Sequence, residues 1–158
     1  MNENEKQLLR RLGEDAAYTF KGLHKHADWL DQKYKLYLSL PIIFSIISIG
    51  FDEEMPALIL KLIAVIALVG SALALIDQKD FEKSSGYREL ADYIKNLYDK
   101  VEAAYLLEDP AQYSVLSQEW LELRKQFKDY PIGKRAYKKT QKRIKQEMNL
   151  SWLGGEYC

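Results

Sequence analysis

The chain has 158 residues, enough for one domain with a real core and too few for a second globular unit of ordinary size. Lysine plus arginine and aspartate plus glutamate balance at 23 each, so the overall charge points neither to a nucleic-acid binder nor to an acid-binding surface, and the informative charges are local. The single cysteine, Cys158, excludes a disulfide framework, and the opening MNENEKQLLRRLGEDAAYTF lacks the apolar centre of a cleaved signal peptide, so the polar part is expected in the cytosol.

Residues 1–35 read as a cytosolic amphipathic helix. Leu8, Leu12, Ala16, Thr19, Leu23, Ala27, Leu30 and Tyr34 recur at the three-four spacing that lines one helical face. No proline interrupts it, only Gly13 and Gly22 weaken it, and nothing separates it from the apolar run that comes next.

Residues 36–76 read as a helical hairpin with spans 36–51 and 57–76. As helices these are about 24 Å and about 30 Å long, the first at the short limit for crossing a bilayer and the second sufficient alone. Between them GFDEEMP has the chemistry of a tight turn. Gly50 closes one helix and Pro56 suits the first turn of the next. Asp52, Glu53 and Glu54 sit favourably at its positive end.

Residues 77–151 turn polar but stay helical. Phe81, Tyr87, Leu90, Ile94, Leu97 and Val101, with Ala104 or Tyr105, form a further stripe that Glu108-Asp109-Pro110 ends. A next helix carries Leu116, Trp120, Leu123, Phe127 and Tyr130 on one side. Tyr130-Pro131-Ile132-Gly133 then turns the chain into a last helix of about four turns, and the tail 152–158 reads as loose. No segment alternates as a strand does, so the expected fold is all-α, an integral membrane hairpin with a cytosolic helical bundle.

Twelve Leu, Ile and Val residues in the second span favour insertion by about −4 to −7 kcal/mol, against a cost of about 3 for one central lysine. The first span has ten strong apolar residues competing with Pro41, Ser39, Ser45 and Ser48, and is expected to insert together with the second. Lys21, Lys25, Lys33 and Lys35 precede the pair, Lys79, Lys83, Arg88 and Lys95 come after it, and the loop has no basic residue, so both termini are expected in the cytosol. Tyr34, Tyr37 and Trp29 fit an aromatic belt at that interface. The opposing reading is a soluble bundle whose hairpin is wholly buried. A chain of this size can hardly shield forty nearly continuous apolar residues.

Lys61 lies about one turn inside the second span, where it either lines a polar path or pairs across subunits, or else snorkels towards headgroups or towards Glu53 and Glu54. Ala64, Ala67, Ser71 and Ala74 share an arc of about 80° beside Gly70, and Pro41, Ser45 and Ser48 cluster on the first span. Such residues either pack the hairpin against itself or form a face that assembles several hairpins around a pore, which one hairpin cannot enclose. The Phe81–Val101 stripe is the candidate surface for oligomerisation. In the last helix Lys134, Arg135, Lys138, Lys139, Lys142, Arg143 and Lys145 either contact anionic lipid headgroups or are simply solvated, with nucleic acid a distant third.

His24 and His26, two apart on a helix, face different directions, and Asp28 with Asp31 has no second contributing segment. No phosphate loop or nucleophile with a base is visible. Neither an enzyme, a cofactor nor a metal site is expected.

The order of amphipathic helix, acidic-tipped hairpin and then FEKSSGYRELADYIKNLYDKV (81–101) resembles the SLATT family, two-transmembrane effector domains of bacterial conflict systems encoded beside cyclic-oligonucleotide synthetases, SLOG-type nucleotide sensors and reverse transcriptases. The resemblance covers nearly the whole chain and rests on architecture and on Phe81, Tyr87, Arg88 and Leu90. It implies no catalytic motif. It implies an effector that, on a signal of phage infection, forms or opens a pore and stops host growth, with sensing by a separately encoded partner. The competing expectation is a non-conducting membrane scaffold that recruits a cytosolic partner.

Overall fold

A computed structural model describes residues 3–50, 55–134, 136–138, 140 and 144. It is all-α, with no strand among the described residues. Helix α1 spans Glu3–Gly50, α2 Ala57–Glu82, α3 Ser84–Leu106 and α4 Gln112–Lys125, which runs into a 3₁₀ turn at Gln126–Lys128. As expected, no break separates the amphipathic part from the apolar run at residue 35. α1 continues for 48 residues with Pro41 inside it. Between α2 and α3 lies one turn residue, Lys83, whose dihedrals (φ −74°, ψ −15°) are still helical.

The chain divides into two compact units, Met1–Ala27 with Ser85–Cys158, and Asp28–Ser84. The hairpin unit therefore begins and ends about two turns outside the apolar spans, and the bundle unit joins the start of α1 to α3, α4 and the C-terminal segment.

In the bundle unit α1 buries Leu9, Leu12, Ala16, Ala17, Phe20, Leu23 and Ala27. Leu8, expected on this face, is exposed, and Leu9 and Phe20 take the inward positions, because the helical face turns by 100° per residue and the N-terminal end of the stripe falls one position later. α3 buries Tyr87, Leu90, Ala91, Ile94, Leu97, Tyr98, Val101 and Ala104, and α4 adds Leu116 and Trp120. Each large aliphatic side chain so covered contributes about 1.5–3 kcal/mol. Phe20 lies 5.8 Å from Tyr98 between ring centres, and Arg10 donates to the Tyr105 hydroxyl from Nη2 (2.7 Å) and Nε (3.2 Å).

α3 stops where the sequence places its stop, by a specific closure. The Asp109 N–H donates to the Ala104 carbonyl (3.0 Å), and Glu108 sits in the left-handed region at φ 52°. Glycine usually fills that position. Here Lys6 reaches Glu108 Oε1 at 2.9 Å, which raises the Lys6 pKa and lowers that of Glu108. Asp109 then starts α4, its carboxylate accepting from the Ala111 N–H (3.1 Å) and Gln112 Nε2 (2.9 Å).

Tyr130 to Gly133 forms a strap laid over two glycines. A methyl group at Gly22 would stand 3.0 Å from Ile132 Cδ1, and one at Gly86 would collide with the Tyr130 ring, so both positions need the absence of a side chain. The Tyr87 hydroxyl donates to the Pro131 carbonyl at 3.0 Å, with the Tyr130 ring edge-on to Tyr87.

Candidate functional site

The hairpin unit turns the usual arrangement of a soluble fold outward. Six large aliphatic side chains of α1 between Leu36 and Ile49, and ten of α2 between Leu58 and Ile76, are exposed, among them Ile49 at 81% and Leu68 at 73%. Only Ile63, Gly70 and Ala74 of α2 are buried. Among the described residues these side chains have no cover, which is not the wholly buried hairpin that the soluble reading requires. Both α1 and α2 are long and apolar enough to cross a membrane.

What holds the two helices together is a narrow seam. A methyl group on Gly70 would stand 3.3 Å from Pro41 Cδ and 3.4 Å from Leu40 Cβ, so the helices meet where α2 has no side chain. Ala74, one turn on, continues the close approach, and Ala67 is half-buried. Ala64 and Ser71, expected on the same arc, are exposed, as is Ser45, while Ser48 is half-buried. The reason is angular. Ala64 and Ser71 lie about 80–100° round the helix from Ile63, outside the seam that Gly70 sets. The Ser71 hydroxyl donates to the Ala67 carbonyl (3.0 Å) and that of Ser39 to Leu36 (2.9 Å), so both are satisfied on their own helices.

Lys61 is exposed, about 160° round the helix from Ile63 and so on the side away from the seam. The acidic residues Asp52, Glu53 and Glu54, and Phe51 at the end of the first span, lie outside the described residues.

At the other end of the hairpin the helices are joined by polar and aromatic contacts that sequence reasoning missed. Lys33 Nζ meets Asp77 Oδ2 at 2.5 Å, with both side chains largely covered. The hydrogen bond to Asp77 raises the Lys33 pKa, against the opposing effect of partial burial. The Lys33 ammonium also lies 5.3 Å from the Trp29 ring and 5.7 Å from the Tyr37 ring, one turn away on either side. Tyr34 stacks on Phe81 at 4.3 Å and 16°. Trp29 and Tyr37, placed in an interfacial belt by the sequence, thus also frame a cation. The missed signal was an acid at the first polar position after the second run, facing a lysine just before the first.

The candidate oligomerisation stripe has another role. Tyr87, Leu90, Ile94, Leu97 and Val101 are buried within one chain, Leu97 with 0% exposure, and Phe81 is occupied by Tyr34. A side chain already covered by its own bundle has no face left for a second copy, so this stripe is intrachain core. In the basic last segment Lys134 and Lys138 are exposed, and Ala136, Thr140 and Ile144 are buried at i, i+4 and i+8. Tyr137 is 48% exposed. Small Ala136 and hydroxylated Thr140 carry the inward face instead, the Thr140 hydroxyl donating to Ala136 O at 2.9 Å. Arg135, Lys139, Lys142, Arg143 and Lys145, with the tail 152–158, lie outside the described residues.

Among the described residues no group of three or more histidine, cysteine or acidic side chains gathers to hold a metal. His24 instead lies 3.4 Å from Asp92, across to α3. No family model matches the chain, and no curated protein or solved structure matches it either.

Proposed function

We propose that this chain is an integral protein of the bacterial cytoplasmic membrane, its hairpin dissolved in lipid and both termini cytosolic. We further propose that it acts there as a membrane-disrupting or pore-forming effector of an anti-phage, abortive-infection system. The observation that carries the membrane reading is the sixteen exposed aliphatic side chains between Leu36 and Ile76. At about 1 kcal/mol forgone per half-exposed side chain in water, their total exceeds the whole net stability of an ordinary domain, about 5–15 kcal/mol. In hydrocarbon the same surface is favourable, and the basic residues on both flanks with none in the turn orient it.

The effector reading rests on the likeness to SLATT proteins over residues 81–101 and on the order of elements, and it calls for self-association through the hairpins and for a separately encoded sensor or signal-generating partner. Lys61 and Ser71, both exposed polar residues of α2, are the residues through which such an assembly would admit water. A second reading, the non-conducting scaffold, is favoured by the buried Phe81–Val101 stripe and by serine hydroxyls satisfied on their own helices, which leave the bundle closed and the hairpin without a continuous polar face.

Overproduction with a membrane-potential dye separates the two. An effector depolarises the cells, alone or when triggered, and Lys61→Leu or Ser71→Leu alters the response. A scaffold sediments with membranes and leaves the potential unchanged in every variant.

A further inference from the structure

At mid-length the two spans meet by close packing of Gly70 against Leu40 and Pro41. About 10 Å further along, one heptad from Leu40 on α1 and one from Gly70 on α2, stands Lys33 against Asp77. The two residues are 44 apart in sequence and belong to different helices, so the pair does not stabilise either helix by itself. It can only hold one to the other. Its setting makes the hold strong: Asp77 is the first acid after 22 residues without one, its side chain 16% exposed, and a carboxylate so covered is costly to leave unpaired. Trp29 and Tyr37 brace the ammonium from both sides, which reduces the freedom Lys33 loses in pairing. Asp80 adds attraction from α2. Directly beside the pair, Tyr34 lies flat on Phe81.

We infer that Lys33 and Asp77, with the Tyr34–Phe81 stack, form a lock that keeps the cytosolic ends of the two spans together, and that releasing this lock lets the hairpin part. The inference rests on the membrane reading for what the parting would accomplish, though the lock itself is a statement about two helices in one chain.

The seam offers a direct reporter. The positions of Leu40 Cβ and a Cβ on Gly70 are 3.4 Å apart, close to the separation a disulfide bridges, so Leu40→Cys with Gly70→Cys on a Cys158→Ser chain should oxidise readily when the hairpin is closed. In membranes from expressing cells, Asp77→Asn should slow that oxidation about tenfold, and the charge-exchanged pair Lys33→Asp with Asp77→Lys should restore most of the rate. An Asp77→Asn chain that crosslinks at the parental rate overturns the lock, as does an exchanged pair that crosslinks no faster than Asp77→Asn. Failure of the membrane reading looks different: the parent chain then stays in the supernatant, whatever its crosslinking rate.

Discussion

The same helix serves two opposite environments. In its first 27 residues α1 spaces Leu9, Leu12, Ala16, Phe20, Leu23 and Ala27 so that each is buried, with charged residues between them. From Leu36 onward the outward face is apolar too, and Leu36, Leu38, Ile42, Ile43, Ile46 and Ile49 are exposed over an arc of about 160°, away from Leu40 and Pro41. The α-helical backbone is unbroken between the two halves. What changes is the solvent the side chains require: a one-sided stripe satisfies itself against another helix in water, and an apolar outward face is satisfied only by hydrocarbon or by further protein.

Equal-sized insults to the two units should therefore have different consequences. The largest effect is expected for Leu97→Asp, which places a carboxylate at a position with no exposure and removes its packing. The loss is on the order of 5 kcal/mol and should unfold the bundle, seen as loss of the cooperative melt by circular dichroism in detergent, while carbonate-resistant membrane association remains. Leu68→Arg, at a 73% exposed position in the middle of α2, should do the reverse. It costs insertion about 3 kcal/mol and should shift the protein toward the carbonate-soluble fraction with the bundle melt unchanged. On a surface facing water the same change would be nearly neutral.

Gly70→Val should be milder, about 1–3 kcal/mol, because a branched side chain is forced against Pro41 and Leu40; it should weaken the Leu40–Ala74 seam without moving the bundle melt. The smallest effect concerns the pair of Lys6 and Glu108. The Glu108 carboxyl is held below its ordinary value, so its contribution is fully present above that value and is lost as pH falls through the lowered one. Lys6 is raised, so its contribution is lost only as pH rises through the raised value. Hydrogen-exchange protection of the first turns of α1 should accordingly be flat near neutrality and fall in acid below about pH 4, and Glu108→Gln should remove the acid limb.

The contrast between the two units also explains what could be read from residues alone. Helix content, the hairpin, the stop at Glu108–Pro110 and the turn at Tyr130–Gly133 were legible because proline, glycine and three-four spacing act locally. Which partner a stripe faces was not. Tyr87 to Val101 has the period of an oligomer seam and of a bundle core alike, and only the fold shows it turned inward. Of the small residues read as one face, Ala67 and Ala74 lie at the seam and Ala64 and Ser71 outside it, because the single residue without a side chain, Gly70, decides where the axes meet. The Lys33–Asp77 pair was invisible for a related reason: Lys33 read as one charge among the flanking bases, Asp77 drew no reading, and their meeting depends on the register that Gly70 fixes.

The central claim, that residues 36–76 are dissolved in lipid with their turn on the outer side, is tested most directly by labelling. On a Cys158→Ser chain, a cysteine in place of Glu53 should react with a membrane-impermeant thiol reagent added to intact spheroplasts, and a cysteine in place of Lys128 should react only after lysis. Labelling at position 128 in intact cells, or none at position 53 until lysis, would contradict the account.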